Sequence, residues 1–221
     1  GRPFLQKQAI CWTSCRSERD AGNRGGHGSS LIPNANRYTV VLDANVLYPF
    51  MKRDLLLCFY EADLYRARWS ETIQQEWLRH AIDRNPTKEA NLQRTDRLMR
   101  EHFAEAWIED FDRFIPTVEL PDPDDRHVVA AAIACNAQYI VTDNIKHFPE
   151  EDLSALHLEA GTADKFLAGT VEHYPARSFE VIREHRNGLR SAPTASAYLM
   201  DLISKGLPLL ASRLRANIAA I

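Results

Sequence analysis

Asp43 directly follows the apolar run Val40-Val41-Leu42, and Asp143 follows Ile140-Val141-Thr142 in the same way. An aspartate at the end of a buried strand seldom serves packing, so both side chains are expected at one edge of a sheet. Asp122, Asp124 and Asp125 open an apolar helical stretch before the second of these strands, while Glu71 and Glu76 lie on a helix opened by Ser70. If these segments are neighbours, three or four carboxylates meet without a matching set of lysines. Like charges that close cannot all ionise unless a cation neutralises them. Oxygen ligands without a His or Cys partner favour Mg²⁺ or Mn²⁺ over zinc. A divalent ion held in this way acidifies water and stabilises charge at phosphorus, which is the chemistry of phosphodiester hydrolysis. Each acid also has a plainer reading. Asp124, Asp125 and Glu71 suit a helix N-terminus, and Glu76 suits a solvated mid-helix face.

The elements that must position these groups follow from local pattern. Tyr38–Leu42 and Gln138–Thr142 read as strands buried on both faces, as in a parallel sheet. Tyr65–Trp69, Val118–Leu120 and Leu156–Leu158 are weaker strand candidates. Helices are expected over Arg53–Leu64, Glu71–Arg84 with Ser70 as N-cap, Thr87–Phe103 and Arg126–Asn136. Strands alternating with helices imply an α/β domain over residues 37–160. Residues 161–221 read as helices only, with Pro175 and Pro208 in first-turn positions and Gly188 and Gly206 at helix ends. Residues 1–36 lack helix or strand periodicity and are glycine-rich, so they are expected to be a poorly ordered leader.

Net charge over the 221 residues is −3, with +3 in residues 1–36, −5 in 37–149 and −1 in 150–221. No blanket of positive charge exists, so any phosphate binding must use a local patch or a metal. The longest strictly apolar run, Val128–Cys135, is eight residues, far short of the ~20 that a membrane helix needs. Cys58 and Cys135 sit in apolar stretches as small hydrophobes. Cys11, Cys15 and His27 are too irregularly spaced for a convincing zinc site. The cysteine pattern fits a reducing cytoplasm.

Four motifs in order carry a resemblance. Val41-Leu42-Asp43-Ala44-Asn45-Val46-Leu47 resembles the opening motif of PIN-domain nucleases. Ser70-Glu71-Thr72-Ile73-Gln74-Gln75-Glu76-Trp77-Leu78 is similar to the family's Ser…Glu-Leu helix, and Asp124-Asp125-Arg126-His127-Val128-Val129 to its third acidic motif. Tyr139-Ile140-Val141-Thr142-Asp143-Asn144 resembles the fourth, a strand ending in Val-Thr-x-Asp.

The resemblance implies a three-layer α/β/α fold with a mainly parallel sheet, followed here by a C-terminal helical extension typical of a longer subgroup. It implies an Mg²⁺- or Mn²⁺-dependent endoribonuclease with Asp43, Glu76 and Asp125 as core metal ligands, and Asn45 and Thr142 as supporting neighbours. At the fourth position the chain has Asn144 where many members have Asp, with Asp143 one residue earlier, and either can fill the role. VapC-type toxins of this family are commonly homodimers and are inhibited by an antitoxin protein.

Arg79, His80 and Arg84 follow Glu76 on one helix and are candidate RNA contacts, although mixed charges there also suit a solvated face. His127 and His147 lie near the acidic motifs and are candidate phosphate contacts, although the plainer reading makes them surface histidines. A haloacid-dehalogenase-type phosphatase also has Asp after its first strand, but expects Asp-x-Asp-x-Thr where this chain has Asp43-Ala44-Asn45-Val46-Leu47. A catalytically silent PIN-like module that binds RNA or protein is the remaining alternative. Asn144 favours it, while Asp43, Glu76 and Asp125 oppose it.

Overall fold

A computed structural model describes residues 38–221. The leader expected over 1–36, with Cys11, Cys15 and His27, lies outside the described residues. Five strands form one sheet: β1 (Thr39–Leu42), β2 (Arg66–Ser70), β3 (Trp107–Ile108), β4 (Tyr139–Val141) and β5 (Glu159–Gly161). Their order is β3-β2-β1-β4-β5, and every pairing is parallel. The chain runs outward from β1 on one side, then returns to build β4 and β5 on the other. The reversal falls between β1 and β4, where open parallel sheets form a crevice beyond their carboxyl ends.

By Cα proximity the described residues group into two compact units, Tyr38–Arg53 with Tyr65–Phe166, and Asp54–Leu64 with Leu167–Ile221. The first contains the sheet. Val40, Val41, Leu42, Ile140 and Val141 are fully buried, which accounts for strands without polar alternation. Helix α1 (Ala44–Leu47) follows β1, and α2 (Phe50–Glu61) begins in this unit. Helix α3 (Glu71–Arg84) starts at Ser70, whose Oγ accepts the Ile73 amide at 3.3 Å. It ends at Asn85-Pro86. Helices α4 (Glu89–His102), α5 (Arg126–Ala134) and α6 (Glu150–Ser154) complete the unit together with the start of α7 (Ala163–His173). The fully buried run Val128–Ala132 on α5 packs near β1 and β4; its alanines let the helix approach the sheet closely.

Three expectations differ from the observed elements. Val118–Leu120 forms no strand, and the fifth strand is Trp107–Ile108 instead. Two residues are too few to show a period, and this strand is held by side chains, with Trp69 edge-on to both Trp107 and Phe103 at 5.9 Å. The strand sought at Leu156–Leu158 is displaced to Glu159–Gly161. Thr87 caps nothing, because Pro86–Lys88 forms a 3₁₀ turn leading into α4 without a side-chain cap.

Gly161 is required by close approach. The ring of Tyr139 lies over it, and a Cβ there would overlap the tyrosine hydroxyl. That ring is fixed between Phe166 at 5.6 Å and Tyr38 at 6.0 Å. Gly161→Ala is therefore expected to destabilise the fold by about 1–3 kcal/mol, the usual cost of overpacking a fixed site. Urea unfolding of the two proteins checks this; equal midpoints would show that the ring moves freely aside.

The second unit combines the remainder of α2 and of α7 with α8 (Pro175–Gly188), α9 (Ala195–Ser204) and α10 (Pro208–Arg215). Pro175 and Pro208 occupy first-turn positions, and Thr194 Oγ1 accepts the Ala197 amide at 3.3 Å to cap α9. Gly206, at φ 78°, carries the chain out of α9 in the left-handed region that glycine tolerates. A polar trio lies in this unit's interior. His185 on α8 has Nε2 3.1 Å from Asp54 Oδ2 on α2, and Nδ1 2.9 Å from the Tyr198 hydroxyl on α9. None of the three is more than 2% exposed.

Candidate active site

Asp43 leaves β1 at the topological reversal and turns the chain into α1. Leu42 pairs with Val141, so the residue after each strand meets the other at the sheet edge. The Asp43 amide donates to the Val141 carbonyl at 3.0 Å. Its carboxylate is almost fully buried and accepts from three donors. These are the Ala44 amide at 2.6 Å, the Asn45 side chain at 2.5 Å and the Thr142 hydroxyl at 2.7 Å. Asn45 Nδ2 also reaches Thr142 Oγ1 at 2.9 Å, and Asn45 Oδ1 accepts the Asp143 amide at 2.8 Å. Asn45 and Thr142 thus stitch the ends of β1 and β4 together and fix the Asp43 carboxylate in place.

That carboxyl is pushed up from 3.8 to about 6. Burial is the largest cause. The hydrogen bond from Thr142 opposes it, and the negative charges of Glu76 and Asp125 raise it further. Both acids therefore act on Asp43 across the same edge, although they come from different elements. Glu76 stands half-buried on α3, and Asp125 half-buried at the end of the 3₁₀ turn Pro123–Asp125 that enters α5.

Two histidines face this acidic edge. His127 Nε2 is 3.5 Å from Glu76 Oε2, and His127 Nδ1 is buried without a hydrogen-bond partner. His147 Nδ1 is 2.6 Å from Asp125 Oδ2 and 3.5 Å from Asp122 Oδ2. Neither histidine behaves as the surface residue that sequence reading makes of it. His147 lies three residues beyond Asn144 on the 3₁₀ turn that follows β4, and no local sequence pattern marks it.

The remaining candidates sit as follows. Asp143 is exposed and pairs with Lys52 at 2.5 Å, and its Oδ1 accepts the Ala163 amide at 3.4 Å. Asn144 is exposed, and its amide donates to Thr142 Oγ1 at 3.1 Å. Arg79, His80 and Arg84 are all exposed on α3, with the Arg84 guanidinium 5.7 Å from the centre of the Tyr48 ring. Glu71 is taken by Arg100 through two contacts of 2.7 and 2.8 Å, which hold its carboxyl below the usual carboxylate range. Arg100 also stacks over Trp107 at 4.8 Å.

Carboxylates gathered at a sheet edge, one of them buried and resisting ionisation, present hard oxygen donors to a divalent cation. The donor set fits Mg²⁺ or Mn²⁺.

Residues 39–146 match the family model of the PIN domain, and residues 163–216 match that of the VapC50 C-terminal domain. The chain is 33% identical over 91 residues to a protein of Mycobacterium tuberculosis (strain ATCC 25618 / H37Rv) named "Putative ribonuclease VapC50". The matched stretch is 41% of this chain and 54% of that protein, so the chain spans about half the length of the curated relative it matches. No solved structure matches the chain.

Proposed function

From a chain whose residues 39–146 match the PIN domain and whose residues 163–216 match the VapC50 C-terminal domain, we propose that this protein is a metal-dependent endoribonuclease, the toxin of a type II toxin–antitoxin pair. The observation that carries the reading is the Asp43 carboxylate, buried where the sheet reverses and raised towards neutrality by burial and by Glu76 and Asp125. Those three side chains would hold Mg²⁺ or Mn²⁺. When bound, the ion supplies an acidified water and positive charge for the phosphate undergoing attack.

The chain's own residues do the rest. Thr142 and Asn45 keep one Asp43 oxygen engaged, which fixes the orientation of the carboxylate before any ligand arrives. Asn144 stands at the fourth motif position as a neutral carbonyl donor. Asp143, held by Lys52, contributes little free negative charge. Arg79, His80 and Arg84 project from α3 beyond Glu76 and offer cationic contacts to phosphates flanking the scissile one. RNA is the substrate, an antitoxin protein the inhibitor, and a homodimer the working state. A cytoplasmic location accords with that role, and no helix among the described residues is long and apolar enough to cross a membrane.

The test is cleavage of a structured RNA by the full chain. We expect cleavage in Mg²⁺ or Mn²⁺, none in chelator, and loss with Asp125→Asn. Equal cleavage by that variant would reject the proposed site. Binding of RNA without cleavage in any divalent ion would mark a silent module.

A further inference from the structure

Arginine keeps its charge wherever it is placed, yet Arg53 is only 6% exposed. Its guanidinium lies among three helices of the sheet-bearing unit. From α2, Nη1 donates to the Leu47 carbonyl at 2.6 Å and to the Tyr48 carbonyl at 3.4 Å, both at the end of α1. At the same time the guanidinium carbon stands 4.7 Å from the centre of the Trp77 ring on α3. Trp77 is fully buried, so this ring is a fixed platform. A buried cation is destabilising unless its hydrogen bonds and neighbours offset the loss of water. An apolar side chain would fill the same space without that demand.

The elements it joins are those that carry two of the acids. Helix α1 has four residues, too few to hold their own shape without tertiary support. The Asp43 side chain caps its start, and Arg53 takes up carbonyls at its end, where a helix leaves them without an internal partner. The positive charge also suits the negative end of a helix. In so short a turn, fixing the end fixes the start, so Arg53 constrains where the Asp43 carboxylate points. Trp77 directly follows Glu76 on α3, and the stacked guanidinium constrains that position as well. We infer that Arg53 is a positioning residue of the active site, setting the spacing of Asp43 and Glu76 by tying α1 to α3. The inference rests on the ribonuclease reading, because that spacing matters to cleavage only where both acids serve one ion. Lysine could still donate to a carbonyl, but it lacks the flat face that stacks on a ring while donating in plane.

The experiment compares Arg53→Lys and Arg53→Met with wild type in the full chain, by calorimetric Mn²⁺ titration and by RNA cleavage kinetics in saturating Mn²⁺. Circular dichroism checks the fold, and Arg53→Lys, the milder change, decides the matter if Arg53→Met fails to fold. Both variants should bind Mn²⁺ about tenfold or more weakly and lose kcat by a similar factor, the usual scale for a group that orients metal ligands. KM for RNA should stay within about twofold, since a buried guanidinium makes no contact with substrate. In the Glu76→Gln background the group being positioned is already altered, so Arg53→Lys should weaken Mn²⁺ binding further by less than about twofold. Tyr198→Phe, which removes a buried hydrogen bond in the helical unit, should bind Mn²⁺ as wild type does. Wild-type affinity and kcat in Arg53→Lys, losses that multiply with Glu76→Gln, or an equal loss in Tyr198→Phe overturns the assignment. Loss of fold in Arg53→Lys makes the residue structural and overturns it too. The wild-type reactions separate the two claims. Cleavage in Mn²⁺ alongside any of those results leaves the ribonuclease standing and removes Arg53, whereas a wild type that neither binds Mn²⁺ nor cleaves removes both.

Discussion

Asp43→Asn is expected to abolish cleavage and, above pH 6, to make the metal-free protein more stable. The two effects share one cause. In the folded protein the Asp43 carboxyl is raised from 3.8 to about 6, so the native state binds its proton more tightly than the unfolded chain does. The sign follows from that difference: stability is favoured at low pH and declines as pH rises from about 4 to about 6. Above that window the charge is fully present and costs about 3 kcal/mol, at 1.36 kcal/mol per unit. Asparagine carries no charge and its Oδ1 can still accept the Ala44 amide, but its Nδ2 cannot accept from the Thr142 hydroxyl or from the Asn45 side chain. We therefore expect a net gain of about 1–2 kcal/mol at pH 8 in chelator, turning into a net loss of about 1 kcal/mol near pH 4, where the charge cost is nearly gone and the lost hydrogen bonds remain. Urea unfolding of both proteins at the two pH values measures it. A variant destabilised equally at both would show that hydrogen bonding, not charge, governs this position. Activity should fall roughly a thousandfold, the scale of losing one charge-stabilising group in an active site. A carboxylate that weakens its own fold when no cation is present is positioned for function.

The second large effect is expected from the interior of the helical unit. His185→Phe preserves volume but leaves Asp54 facing an apolar ring, with Oδ1 already lacking a hydrogen-bond partner. Breaking a buried pair from one side costs about 3–5 kcal/mol when the remaining group is charged. Asp54→Leu strands only a neutral nitrogen donor and should cost less, about 1–3 kcal/mol. The double variant, with an apolar pair in place of a polar one, should recover most of the loss. Urea unfolding gives the totals, and hydrogen exchange should place the loss in α8 and α9. Single variants that simply add would mean that His185 and Asp54 do not act as a pair.

Much of the candidate site's edge is legible because strand ends are written locally. A continuous apolar run that stops at Asp43, and another that stops at Thr142-Asp143, mark two buried strands and the edge they share. Ser70 likewise announces the start of α3 through its own side chain. What was not legible depends on pairing across the fold. Lys52 and Asp143 are 91 residues apart, and nothing near either residue predicts their contact. Asp54 sits in Lys52-Arg53-Asp54, which has the look of a solvated helix start, yet it is 2% exposed. His147 has no local pattern; only the turn after β4 brings it to Asp122 and Asp125. β3 is illegible in the sequence because two residues carry no periodicity and its anchor is an aromatic contact with Trp69.

We propose that the carboxylates of Asp43, Glu76 and Asp125 direct a water, not a ribose hydroxyl, against RNA phosphorus. End-group analysis of the RNA products tests it most directly. Attack by water with departure of the ribose 3′ oxygen leaves a 3′-hydroxyl and a 5′-phosphate, in a reaction that chelator stops. Attack by the neighbouring 2′-hydroxyl needs no divalent ion and leaves a 2′,3′-cyclic phosphate. We expect 5′-phosphate ends, formed by wild-type protein in Mn²⁺ and absent with Asp43→Asn. Cyclic phosphate ends that persist in chelator would contradict the account.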